Sequence, residues 1–305
     1  MYNFVIFTKG FTIISNNKTL AEQFRSFYAD HKPKNFEDAI EKFAIFGGVG
    51  WGEIDTSKPS FELIEKLILS DYRFIRNDVT ELTSGAPVYH SVLSAIAMGD
   101  GKTHSSYKRA GVAEDVGDNA VEALCEKGVL RIAKARNVFT SWSENEKVDN
   151  KLYFTTPFAR FWFAFVSPLF KGVRDGDFTE VKKRFENRQS EFVNLTFVEL
   201  AQEFLKLSFK EDEIVEIGSY WDRNVELDVY AKTASGKTIV GVCKYTNAKV
   251  KKSELARLQE SCAKAKIEAD VFVIFSKSGH SNELKTLKSE NLKLFTLKNF
   301  KALVE

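Results

Sequence analysis

The chain predicts an α/β protein in which short helices and a hairpin precede a helix, three strands, a second helix and a further strand. Three observations carry that expectation. Apolar residues recur at helical spacing in several segments, alternating or continuous apolar runs rich in Val, Ile, Phe and Tyr gather after residue 210, and turns bearing Gly, Asp or Asn separate them. With 305 residues, 44% of them hydrophobic, the chain can bury a sizeable core, which excludes disordered and disulfide-stapled small scaffolds.

Residues 1–80 read as a mixed segment. After a β-rich start, a helical stretch is expected from Leu20 to Phe46, then a break at Gly47 and Gly48. A further helix is expected around Phe61 to Leu69, where Phe61, Ile64 and Ile68 keep one buried face.

Residues 81–157 read as a winged helix-turn-helix. Tyr89, Val92, Leu93, Ile96 and Ala97 form one helical stripe behind Pro87, and Gly99 and Gly101 end it. A short helix is expected around Ser105 to Ala110 and a third from Asp118 to Lys127, closed by Gly128. The strands VLRIA and KLYFTT then flank a polar stretch running through Trp142 to Asn150. Residues 158–175, opening FARFWFAFVSPLF, are an aromatic packing connector: with Arg160 and Pro168 inside it, the run is too short to span a bilayer.

Residues 176–305 carry the α/β signal. Phe197, Leu200, Ala201, Phe204 and Leu205 mark a helix from about Asn194, leaving Glu199 and Glu203 on another part of its surface. The strands EIVEIGSYW, ELDVYAKT and TIVGVCKY follow, then a helix with Leu255, Leu258, Cys262 and Ala265 inward, then DVFVIFS, suited to a strand buried on both faces.

Charge separates the halves. Residues 1–150 hold 18 Lys and Arg against 21 Asp and Glu, residues 151–305 hold 26 against 21, and the stretch from Thr238 to Glu305 holds 13 against 7. The net charge of +2 excludes a wholly basic coat protein. Cys125, Cys243 and Cys262 lack zinc or disulfide spacing, and no basic n-region precedes an apolar run at the N-terminus. A cytoplasmic protein without a membrane partner is expected.

Two tempting motifs carry nothing. Gly101-Lys102-Thr103 ends like a phosphate-binding loop, but the glycine that motif needs five positions earlier is Ile96, so neither ATP binding nor ATP hydrolysis is expected. His31, His90, His104 and His280 are dispersed without HxH or HxxxH spacing, so no zinc site is expected.

A sharper constellation lies on the strands. Alternation places Glu226 and Asp228 on one face of their strand, and Val242 and Lys244 on one face of the next, which can bring Asp228 near Lys244. Two acids and a lysine at a sheet edge suit metal-dependent phosphodiester hydrolysis: carboxylates hold Mg²⁺ or Mn²⁺, and the lysine orients the attacking water. The pattern resembles the PD-(D/E)XK motif of restriction-endonuclease-like folds, with a central mixed sheet. Where that motif carries an acid two positions before the lysine, this chain has Val242. The metal ligands would then be Asp228 and Glu226, with Glu199 assisting. The alternative is a structural charge cluster on a nuclease-like scaffold.

For nucleic acid, the candidates around the winged helix are Lys102, Lys108, Arg109, Arg131, Lys134 and Arg136. Glu114, Asp115, Asp118, Glu122 and Glu126 in the third-helix region oppose them, which leaves a protein partner for this module open. Farther on, Lys249, Lys251, Lys252 and Lys277 form a second set around the nuclease-like cleft.

Taken in order, AIFGGVGW, YHSVLSAIAMGDGKT, YFTTPFARFWFAFVSP, ELDVY and VGVCKY resemble the C-terminal half of a family of archaeal and bacterial AAA-type ATPases. In that family a P-loop domain is followed by a winged helix and a PD-(D/E)XK-like domain of unknown function. The resemblance covers about residues 36–280 and implies nuclease positions at Glu226, Asp228 and Lys244. Where the family has its ATPase, this chain has about 40 residues and no phosphate loop. The expectation is a DNA-binding protein that is either a metal-dependent endonuclease with an altered site or a catalytically silent regulator. A homo-oligomer is compatible with both.

Overall fold

The computed structural model describes residues 18–135 and 148–305. The expected β-rich start, the polar stretch through Trp142 and the candidate Arg136 lie outside the described residues. The architecture is mixed α/β, in two compact units: residues 18–134 with 149–189, and residues 190–305 with 135 and 148.

The first unit opens with α1 (Leu20–His31), closed by a reciprocal cap in which Thr19 Oγ1 accepts from Glu22 N at 3.2 Å and the Glu22 carboxylate accepts from Thr19 N at 2.7 Å. The single helical stretch expected from Leu20 to Phe46 is two helices. Lys32 turns left-handed, with φ 43°, and Pro33 follows, so α2 (Phe36–Phe46) restarts from its Asn35 cap. Next come α3 (Ser60–Ile64), which runs into a wide turn over Glu65–Leu69 where Ser70 N donates to Glu65 O at 2.9 Å, and α4 (Tyr72–Thr83). The apolar face of α4, Tyr72, Ile75, Val79 and Leu82, keeps helical spacing against charged neighbours, a helix not singled out from the sequence.

Three helices follow, α5 (Pro87–Met98), α6 (Thr103–Ala110) and α7 (Glu114–Glu126), then the antiparallel hairpin of β1 (Leu130–Ala133) and β2 (Lys151–Phe154). Val92, Leu93 and Ile96 of α5 and Ala120, Val121 and Leu124 of α7 are buried. The third helix starts at Glu114, ahead of the expected Asp118, because acidic residues suit its positive N-terminal end.

The aromatic segment forms α8 (Pro157–Phe161), a wide turn over Trp162–Val166 and, after a tight turn, α9 (Phe170–Arg174). Phe158, Phe161, Phe163 and Phe165 are fully buried, and Trp162 stacks on Tyr72 with ring centroids 5.7 Å apart and planes 4° from parallel. This segment thus belongs to the core of the first unit.

The unit boundary falls inside α10 (Thr179–Ser208), which begins well before the expected Asn194. The second unit is a sheet of order β3 (Ile214–Trp221), β4 (Glu226–Thr233), β5 (Thr238–Lys244), β6 (Val271–Ser276) and β7 (Leu292–Thr296). The first three strands are antiparallel neighbours, and β5, β6 and β7 are parallel. Between β5 and β6 runs α11 (Lys252–Lys264), and between β6 and β7 the short α12 (Asn282–Thr286).

One face of the sheet is aromatic, with Phe197 and Phe204 of α10 packed edge-on against Phe275. Elsewhere Leu258 and Cys262 of α11 pack with Tyr230 and Val240. Gly241 sits in the middle: a Cβ there would lie 2.3 Å from Val273 Cγ2 and 2.8 Å from Val273 O, so only glycine lets β5 and β6 approach this closely. Among the described residues, no helix is long and apolar enough to cross a membrane.

Candidate functional site

The candidate acids and lysine converge on one end of β4 and β5. Paired register between these strands ends at Val229↔Gly241. Beyond it the Cys243 backbone N–H donates to Asp228 Oδ2 at 2.7 Å, so the carboxylate takes over where the ladder stops. Cys243 directly precedes Lys244, and in that sense the two candidates are neighbours.

A bulge sets the position of Asp228. Gly218 pairs with Tyr230 and Tyr220 with Leu227, so two β3 steps match three on β4, and Asp228 and Val229 lie opposite Ser219. The Asp228 carbonyl accepts instead from Gln202 Nε2 of α10 at 2.7 Å and from Ser219 Oγ at 3.2 Å. The offset also explains why Leu227 and Tyr230, three residues apart, share one apolar cluster. The alternation expected for Glu226 and Asp228 runs as far as Asp228, with Leu227 buried between them, and breaks beyond it, where Val229, Tyr230 and Ala231 are all buried.

Lys244 turns to a partner that sequence reasoning missed. Its Nζ lies 3.1 Å from Glu254 Oε2 in the first turn of α11, and Glu254 Oε1 accepts from Arg257 Nη1 at 2.6 Å. The signal was present as an acid early in the helix after the lysine strand, but its reach back to Lys244 is a tertiary fact. Val242, half-buried, packs into apolar clusters with Tyr230 and Ile274.

The metal expected at Asp228 and Glu226 fits this donor set poorly. Val242 supplies no oxygen, one Asp228 oxygen is taken by the Cys243 amide, and Glu226 stands exposed at the strand start. Among the described residues, no three His, Cys, Asp or Glu side chains gather as a metal site. Burial drives the Cys243 thiol well up, with the Asp228 charge adding to it and Lys244 partly opposing, so this cysteine stays a protonated core residue. Glu199 projects from α10, where Gln202, one turn on, makes the bond to β4.

The basic candidates divide by unit. In the first, the Arg109 guanidinium donates to the Ala95 carbonyl at 3.0 Å, closing the end of α5, and Arg131 lies 4.3 Å from the Tyr153 ring centroid across the hairpin. Lys108 and Lys134 are exposed, and Lys102 precedes α6 half-buried. Glu114, Asp115, Asp118, Glu122 and Glu126 are all exposed on α7, and Asp118 accepts from the Tyr107 hydroxyl at 2.8 Å.

In the second unit, Lys249, Lys251 and Lys252 are exposed on the loop leaving β5 and at the start of α11. Lys277 follows β6, its N–H donating to the Lys244 carbonyl at 3.0 Å and its ammonium 4.7 Å from the Tyr245 ring centroid. These loops leave the carboxyl ends of parallel strands, the edge where open α/β sheets receive ligands.

Residues 162–256 match the DUF234 family, described as archaeal and bacterial proteins of unknown function. No curated protein and no solved structure matches the chain.

Proposed function

We propose that this chain is a DNA-binding protein whose second unit is a PD-(D/E)XK-like scaffold that grips the phosphate backbone without cutting it. The order α10, β3, β4, β5, α11, β6, with antiparallel strands first and parallel ones after, supports the nuclease-like lineage. Three helices and a hairpin in the first unit support a winged helix. Gly101-Lys102-Thr103 lacks the partner glycine of a phosphate loop, which leaves ATP out of the reading, and three free thiols suit a reducing cytoplasm.

The observation that carries the proposal is the Lys244–Glu254 pair at 3.1 Å, inside a rim bearing Lys249, Lys251, Lys252 and Lys277. A lysine held by a neighbouring carboxylate is poorly placed to orient a nucleophilic water, whereas the exposed Lys249, Lys251 and Lys252 can neutralise phosphates.

The test reads binding and cleavage together. Mobility-shift titrations on duplex and single-stranded DNA are expected to show binding that falls steeply with salt, and plasmid incubated with Mg²⁺ or Mn²⁺ is expected to stay intact. Absence of binding at low salt sinks the proposal. Cleavage abolished by Asp228→Ala and by Lys244→Ala replaces it with the endonuclease reading.

A further inference from the structure

Two loops carry the lysine rim of the second unit, Tyr245 to Lys251 after β5 and Lys277 to Ser281 after β6, and they are laced to each other. Lys277 N donates to Lys244 O at 3.0 Å, Val250 N to Gly279 O at 2.9 Å and Ser281 N to Val250 O at 2.8 Å. Ser278 Oγ donates to Thr246 O at 2.7 Å, and Ser276 Oγ to Gly279 O at 2.7 Å.

The lacing is anchored from below. The helix α10 holds both backbone groups of Tyr245: Tyr245 N donates to Asn194 Oδ1 at 3.1 Å, and Ser190 Oγ donates to Tyr245 O at 2.8 Å. On the other loop, His280 Nε2 donates to Ile274 O of β6 at 3.1 Å. Loops tied at this many points are ordered before a ligand arrives, so binding does not have to order them.

The rim offers charge without a stacking surface. Lys249, Lys251 and Lys252 are exposed, whereas the two aromatic side chains of these loops, Tyr245 and His280, are each only 3% exposed. The Tyr245 ring packs on Phe197, with centroids 5.4 Å apart, and the Lys277 ammonium lies 4.7 Å from its centroid. Surfaces that hold single strands combine a basic groove with aromatic side chains on which the bases stack. Lacking those, this rim would have to order a flexible strand through charge alone, and a single strand releases fewer counterions per phosphate than a duplex. A duplex brings its phosphates already rigidly spaced and at high charge density, which suits a fixed set of ammonium groups.

We propose that the rim takes double-stranded DNA through its phosphate backbone and discriminates against single strands, with Ser278 as a positioning residue that ties the two loops into one platform. This rests on the reading of the rim as a phosphate-binding surface.

The test is an anisotropy titration of the full chain with a labelled duplex and with each of its separated strands at low salt. The duplex is expected to bind about ten-fold more tightly than either strand. A strand bound as tightly as the duplex overturns this proposal alone, whereas binding of neither removes the phosphate-gripping reading and this proposal with it. Ser278→Ala, which deletes the link between the loops, is expected to weaken duplex binding about five-fold and to leave strand binding unchanged, because a flexible strand follows a loosened loop. Ser278→Thr keeps the hydroxyl and is expected to retain the parent affinity. Equal losses on duplex and strand, or a loss that threonine does not restore, would show that Ser278 is merely structural and overturn its role.

Discussion

The α7 face of the first unit and the loop rim of the second both read as basic or mixed in sequence, yet they differ in what their cations are doing. Around α7, Arg109 of α6 bonds the Ala95 carbonyl of α5 and Arg131 of β1 lies over the Tyr153 ring of β2, while α7 itself exposes five acids. On the rim, Lys249, Lys251 and Lys252 are exposed beside the carboxyl ends of β5 and β6. A basic residue counts toward phosphate binding only when folding has not already used it, so the rim is the stronger candidate surface.

The comparison breaks most completely if the rim is lost with its sheet. Gly241→Val forces side-chain atoms into Val273, which already stands 2.3 Å from a hypothetical Cβ. We expect a loss of about 3 kcal/mol of stability, read by denaturant unfolding, and loss of DNA binding with it. An unchanged midpoint would mean that β5 and β6 are not packed this tightly.

Next in size, Lys249→Glu, Lys251→Glu and Lys252→Glu combined should lower DNA affinity about 100-fold at low salt and flatten the salt dependence by about one unit of slope for each phosphate no longer neutralised. Unchanged affinity would move the binding surface off the rim.

The order α10, β3, β4, β5, α11, β6 was legible because these strands are short runs bounded by turns and both helices show one apolar stripe, whereas the five-residue α12 and β7 that follow were not read from the sequence. What decides the chemistry of the second unit was not legible. The bulge at Asp228 depends on Ser219 and Gln202, and the partner of Lys244 is ten residues away on the next helix. The break between α1 and α2 was readable in principle, since Lys32-Pro33 carries a helix stop, but the apolar stripe on either side masked it. The spare hydroxyl of Thr156 illustrates the limit: its place before Pro157 marks a helix start, and only packing shows that the cap goes unused.

A smaller effect sharpens the contrast inside the rim. Glu254→Gln removes the carboxylate that holds Lys244, a half-exposed ion pair worth at most about 1 kcal/mol. Freed, Lys244 joins the phosphate contacts, and DNA affinity is expected to rise about three-fold at low salt, an effect erased at high salt. A fall in affinity would show that Glu254 positions the rim instead of restraining it.

The smallest expected effect belongs to the first unit. Lys108→Ala and Lys134→Ala remove exposed cations from a unit whose α7 exposes five acids. Exposed carboxylates of the same unit oppose the attraction of each lysine to phosphate, so the net potential the DNA meets is expected to change little. We expect affinity within about two-fold of the parent and an unchanged salt slope. A ten-fold loss with a shallower slope would place these lysines on phosphates, and the three helices with their hairpin, despite the acidic face, would then be part of the DNA-binding surface.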